Sequence, residues 1–163
     1  MAQFSCRLWL SFRCRPTSHG ARPVDGFRRE LGLLMIEACG ISRSEPGLRQ
    51  ALTAVEDLRQ RFAEEGGVSD AEGGGLNGEL EKALRLEDFF GLADLMLRDA
   101  LAREESCGAH FREEHQTPEG EALRDDGRFS HIAAWEHVGG SPPRRHAEPL
   151  TYTALTPTAR SYR

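Results

Sequence analysis

The stretch from Leu48 to Phe62, LRQALTAVEDLRQRF, spaces its apolar side chains at Leu48, Leu52, Val55, Leu58 and Phe62. Steps of three and four residues trace one face of a helix, and charged and polar residues fill the remainder of the turn. The helix is expected to end near Glu65. Pro46 follows Ser44 at the front of the pattern, where a first-turn proline is tolerated. A helix with a single apolar stripe must bury that stripe against other elements.

Its neighbours supply those elements. From Asp25 onward, Phe27, Leu31, Leu34, Met35 and Ala38 recur at helical spacing, and Gly40 stands where a C-terminal cap belongs. On the other side EEGGVSDAEGGG, Glu64 to Gly75, has only Val68 to bury and reads as a surface connection. Helical period returns through Leu80 and Leu84. A longer helix then carries Phe89, Ala93, Met96, Leu97, Ala100 and Leu101 and runs to about Glu105. The expected fold is mainly α: an antiparallel three- to four-helix bundle over residues 25–106, followed by an extended tail and hairpin over 107–163.

Beyond Phe111 the periodicity stops, and HQTPEGEALRDDGR is punctuated by proline and glycine. FSHIAAWEHV, Phe129 to Val138, and PLTYTAL, Pro149 to Leu155, have strand-like composition around the turn-rich GGSPPRRHAE. They are expected to pair as a C-terminal β-hairpin, which needs something to lie on because a lone hairpin is marginal in water.

The 163 residues suit one domain with a core. A net charge of −5 with no basic stripe argues against nucleic acid as a partner. The four cysteines, Cys6, Cys14, Cys39 and Cys107, are scattered, which fits a reducing cytoplasmic setting. Residues 1–24 hold Arg7, Arg13, Arg15 and Arg22 with no acidic side chain and no periodicity, and are set apart as an unrelated or disordered leader.

Three constellations invite a chemical reading. Gly73, Gly75 and Gly78 satisfy the G-x-G-x-x-G spacing of a dinucleotide-binding turn, but the fingerprint requires a buried strand before it, and an acidic glycine-rich loop stands there instead. Cys107, His110 and His115 offer ligand types that zinc accepts, at a spacing that fits no standard site. Cys107 beside His110 resembles a thiolate–imidazole pair, a combination common by chance. No catalytic, cofactor-binding or metal residue is assigned. Around Gly108, the dense charges of Arg103, Glu104, Glu105, His110, Arg112, Glu113, Arg124, Asp125 and Asp126 fit either a solvated face or a partly buried docking network.

It is here that a family resemblance is found: REESCGAHFREEHQTPEGEALRDDGRFSHIAAWEH, from Arg103 to His137, resembles the end of succinate dehydrogenase and fumarate reductase flavoprotein subunits. That family more commonly has arginine at the position of Cys107, and the cysteine form is similar to the branch with single-polypeptide cytochrome b anchors. The similarity extends upstream through FRRELGLLMIEACGISRSEPGLRQAL and LNGELEKALRLEDFFGLADLMLRDAL, and down to EPLTYTALTPTARSYR, covering Asp25 to Arg163.

The resemblance implies a carboxy-terminal helical domain whose parent subunit holds FAD and oxidises succinate to fumarate, passing electrons to iron-sulfur clusters. The flavin and substrate segments are not represented in these residues, so the isolated chain is expected to be inactive and to carry no cofactor. Implied partners are the flavin-binding domain, the iron-sulfur subunit and, indirectly, a cytochrome b membrane anchor, with a peripheral place on the inner face of the cell membrane. Glu105, His110, Arg112, Arg124 and Asp126 are the candidate docking residues. Two rival readings are a stand-alone helical interaction module and the end of an L-aspartate oxidase. The second is disfavoured because ESCGAHFREE and RDD followed by a strand pair suit the dehydrogenase better.

Overall fold

The computed structural model describes residues 22–68, 77–139 and 142–158. Nearly all of the leader, Gly73 and Gly75 of the glycine spacing, and the final five residues lie outside the described residues. The chain runs through β1 (Arg22–Pro23), α1 (Val24–Cys39), β2 (Ser42–Arg43), α2 (Glu45–Glu65), β3 (Gly66–Gly67), α3 (Gly78–Ala102), β4 (Phe111–Arg112), α4 (Asp126–Phe129), β5 (His131–Glu136) and β6 (Arg144–Pro149). The mainly α architecture expected from the periodicity is present, with the extended segment and hairpin after it.

Local chemistry sets the helix ends. Ser44 caps α2, its side chain accepting from the Gly47 amide at 3.3 Å and its carbonyl from Leu48 at 2.9 Å. Leu48, Val55, Leu58 and Phe62 are buried as the stripe requires, with Leu52 at its edge. Gly40 does follow α1, but without the positive φ of a glycine cap; Arg43 Nε instead donates to its carbonyl at 2.6 Å.

The third helical pattern differs from expectation in forming one helix of 25 residues instead of two. Its buried face is Ala83, Leu86, Phe90, Ala93, Leu97 and Ala100. Leu84, Phe89 and Met96 are left exposed. Apolar residues occupy more than one face of α3, so the period marks a helix there without selecting the side that faces the core.

The described residues fall into two compact units, one of residues up to Ile36 with Thr53–Asp94, the other of Glu37–Leu52 with those from Leu95 onward. In the first unit Phe27 meets Phe62 edge-on with ring centroids 5.3 Å apart, and Phe62 lies 5.9 Å from Phe90, so aromatic contact joins all three helices. Gly66, directly after α2, permits a close approach: a Cβ there would stand 2.5 Å from the Phe62 carbonyl oxygen and 2.8 Å from its ring. β1 then pairs in parallel with β3. Glu30 accepts from both Arg22 and Arg61, and these arginines hold its carboxyl below the usual carboxylate range, the Arg61 bond first among the causes that lower it.

In the second unit the link between α1 and α2 is tied to the region after α3. β2 pairs in parallel with β4, Phe111 donating to the Ile41 carbonyl at 3.1 Å and Glu113 to that of Arg43 at 2.9 Å. The hairpin corrects an expectation. β5 falls inside the expected first strand, but its partner is RRHAEP, not PLTYTAL. The chosen register sets Glu136 opposite Arg144 and Trp135 opposite Arg145, with Glu136 3.5 Å from Arg144 and 2.8 Å from His146. The residues of TYT stay outside any strand and exposed.

Candidate docking turn at the end of the long helix

A helix leaves its last carbonyls without partners, and α3 ends beside a charged segment. Arg112 fills that role. Its Nη1 donates to the carbonyls of Ala100 at 2.9 Å, Leu101 at 3.2 Å and Arg103 at 3.4 Å, while Nε reaches Glu114 at 3.2 Å. The guanidinium also brings positive charge to the negative end of the helix dipole. Only 1% of Arg112 is exposed, and the burial is tolerable because its donors meet acceptors.

The turn that delivers Arg112 is closed on itself. Cys107 and His110 exchange backbone hydrogen bonds at 2.8 and 3.1 Å across Gly108 and Ala109, and Gly108 takes a φ of 60°, which favours glycine. Ser106, fully buried, accepts from the Arg112 amide at 2.8 Å and donates to its carbonyl at 3.1 Å. Glu105, 2% exposed, receives Arg103 Nε at 2.7 Å and Nη2 at 2.5 Å on one oxygen, and the Asp125 amide at 2.9 Å on the other.

His110 binds the turn to β2. Arg43 Nη1 donates to its Nδ1 at 2.9 Å, so the proton sits on Nε2, which donates to the Arg103 carbonyl at 2.9 Å. Burial pushes this imidazole below the ordinary histidine range, and the charges of Arg43, Arg103 and Arg112 act in the same direction against the Arg103 carbonyl.

Of the five candidate docking residues, Glu105, His110 and Arg112 are therefore gathered into one internal cluster. Glu105 and Arg112 are buried where their hydrogen bonds hold the turn together. Arg124 and Asp126 pair with each other at 2.5 Å nearer the surface, and Arg124 also holds the Thr158 carbonyl at 3.1 Å. Arg43, Ser106, Asp99 and Trp135 complete the surroundings and were missed; Arg43 meets His110 across 67 residues, beyond the reach of any local pattern. A cleft of about 390 Å³ opens beside His110, lined by Cys39, Arg43, Met96, Asp99, Arg103 and Trp135 among others.

The tempting chemistries meet specific obstacles. Both ring nitrogens of His110 are engaged, which leaves none to act as a base for Cys107. Among the described residues no three His, Cys, Asp or Glu side chains converge on a metal position. A flavin pyrophosphate does not fit the start of α3 either: Asn77 Oδ1 already accepts from the amides of Glu79 and Leu80, both at 3.1 Å, and Glu79 and Glu81 put negative charge in the first turn.

Residues 28–162 match the family described as Fumarate reductase flavoprotein C-term. The chain belongs to that family. A fumarate reductase flavoprotein subunit of Escherichia coli is 31% identical over 136 residues, which are 83% of this chain and 21% of that protein. The fumarate reductase flavoprotein subunit of Mycobacterium tuberculosis is 30% identical over 144 residues, 88% of this chain and 23% of the relative. A solved structure of E. coli quinol fumarate reductase FrdA superposes with a TM-score of 0.72 at 26% identity, covering 94% of this chain and 24% of that one. The chain thus spans about a fifth of the length of these curated relatives. No helix among the described residues is long and apolar enough to cross a membrane.

Proposed function

We propose that this chain acts as the carboxy-terminal helical domain of the flavoprotein subunit in a succinate:quinone oxidoreductase. The parent subunit would oxidise succinate to fumarate, or run the reverse, with electrons passing through FAD and iron-sulfur clusters to quinone. The family match over residues 28–162 carries this reading, because it takes in the helices, the Arg112 turn and the hairpin together. Apolar side chains left on the outside of the long helices, such as Ile36 at 74% and Leu92 at 54% exposure, suit a surface that other parts of the assembly cover.

In this reading the isolated chain catalyses nothing and holds no flavin. Its partners are a flavin-binding domain and an iron-sulfur subunit, with a cytochrome b anchor holding the assembly to the inner face of the membrane. Arg124 and Asp126 face the partner, and Glu105, His110 and Arg112 keep the turn behind them in shape. Co-expression with a family iron-sulfur subunit should give a complex that survives gel filtration. Independent elution of the two chains would sink the docking role. A flavin spectrum with succinate-driven dye reduction from this chain alone would sink the expectation of inactivity.

A further inference from the structure

Arg43 differs from the other arginines around the turn in having no acidic counterpart. Its Nε and Nη1 go to two uncharged acceptors, the Gly40 carbonyl and the neutral His110 ring, and among the described residues no carboxylate pairs with it. The neighbouring charges are already matched. Arg103 is held by Glu105, and Asp99 receives the Trp135 indole N–H at 2.9 Å with Arg145 at 3.8 Å. One guanidinium charge is therefore left over on the wall of the cleft of about 390 Å³.

We propose that this cleft binds a carboxylate carried on a short apolar stem, with Arg43 as its counter-charge. A partly buried cation without a counter-charge is costly, and a guanidinium fork matches the two oxygens of a carboxylate. The remaining lining, Cys39, Leu95, Met96, Ala100, Ala133 and Trp135, is apolar and suits the stem. His110 orients the fork: with its Nδ1 unprotonated it fixes Nη1 and with it the plane of the guanidinium. The carboxylate belongs either to a free small molecule or to an acidic side chain of a polypeptide, and the chemistry of recognition is the same for both. The inference stands independently of the flavoprotein reading.

The test is a titration of the isotopically labelled 163-residue chain with propionate and, in parallel, with the uncharged isostere propionamide. The signal is the indole N–H resonance of Trp135, told apart from that of Trp9 by a Trp9→Phe chain. Propionate should shift it saturably and propionamide should not. Arg43→Gln should weaken binding roughly tenfold, the loss of one charge-assisted contact. Asp99→Asn keeps an acceptor for the indole while removing the like charge across the cleft, and should tighten binding severalfold. Equal response to the amide, or an Asp99→Asn chain that binds propionate no better, overturns the proposal even if Arg43→Gln disturbs the turn. A blocked Ala-Glu-Ala peptide that binds much more tightly than propionate assigns the cleft to a polypeptide side chain; equal or weaker binding assigns it to a free carboxylate.

Discussion

Phe27, Phe62 and Phe90 in one unit and Glu105, Ser106 and Arg112 in the other are buried to nearly the same extent, none more than 2% exposed, yet by opposite means. The aromatic cluster is held by apolar area removed from water, an attraction without direction that survives small shifts. The polar cluster is held by aimed hydrogen bonds: three carbonyls onto one guanidinium nitrogen, and two arginine donors onto one carboxylate oxygen. Losing one partner there leaves the other buried and unsatisfied. Equal burial therefore carries unequal tolerance: the turn is specified by geometry where the bundle is specified by pattern.

The largest loss of stability is expected at the aromatic cluster. Phe62→Ala should cost about 4 kcal/mol in urea unfolding, since it opens a cavity between two rings. Arg112→Ala should follow at about 3 kcal/mol through loss of a buried, hydrogen-bonded charge and of the cap on α3. Arg112→Lys should recover little of it, because one ammonium cannot serve three carbonyls and Glu114 at once. A lysine chain as stable as the original would show that the fork is not what holds the turn. Glu105→Gln should cost about 2 kcal/mol by leaving Arg103 without its counter-charge, read by the same unfolding curve.

A smaller effect distinguishes the clusters by pH. With its ionisation lowered in the fold, His110 takes a proton more readily when the chain is unfolded. Its stabilising contribution is therefore complete above the ordinary histidine value of about 6.5 and declines as pH falls below it. His110→Gln should flatten that decline in stability measured between about pH 7 and 5; an unchanged slope would locate the titration elsewhere. At the bottom of the scale, Arg85→Ala removes an exposed i,i+4 pair with Glu81 and should shift stability by less than about 0.5 kcal/mol.

How far the sequence could be read follows the same division. The stripe through Leu48, Val55, Leu58 and Phe62 was legible because helical burial repeats along the chain. In α3 the spacing marks the helix but leaves its inner face open, since apolar residues such as Leu84, Phe89 and Met96, which stand exposed, satisfy more than one alignment. The hairpin's second strand was mistaken for a similar reason: composition favoured TYT, while the match of Glu136 to Arg144 and His146 depends on which residues stand opposite. For the turn, residue types announced a charged cluster around Gly108, yet not that Arg112 is buried under the end of α3 or that Arg43 arrives from another part of the chain.

By itself the sequence determined the helical class and the family, because each is written in local spacing or contiguous motif. Only the tertiary structure decided which candidate docking residues are buried within the turn and which lie nearer the surface, and that Arg43 is left without an acid beside an open cleft. Charge is a property of a residue, whereas burial and pairing are properties of its neighbours, and those neighbours come from segments far apart in the chain.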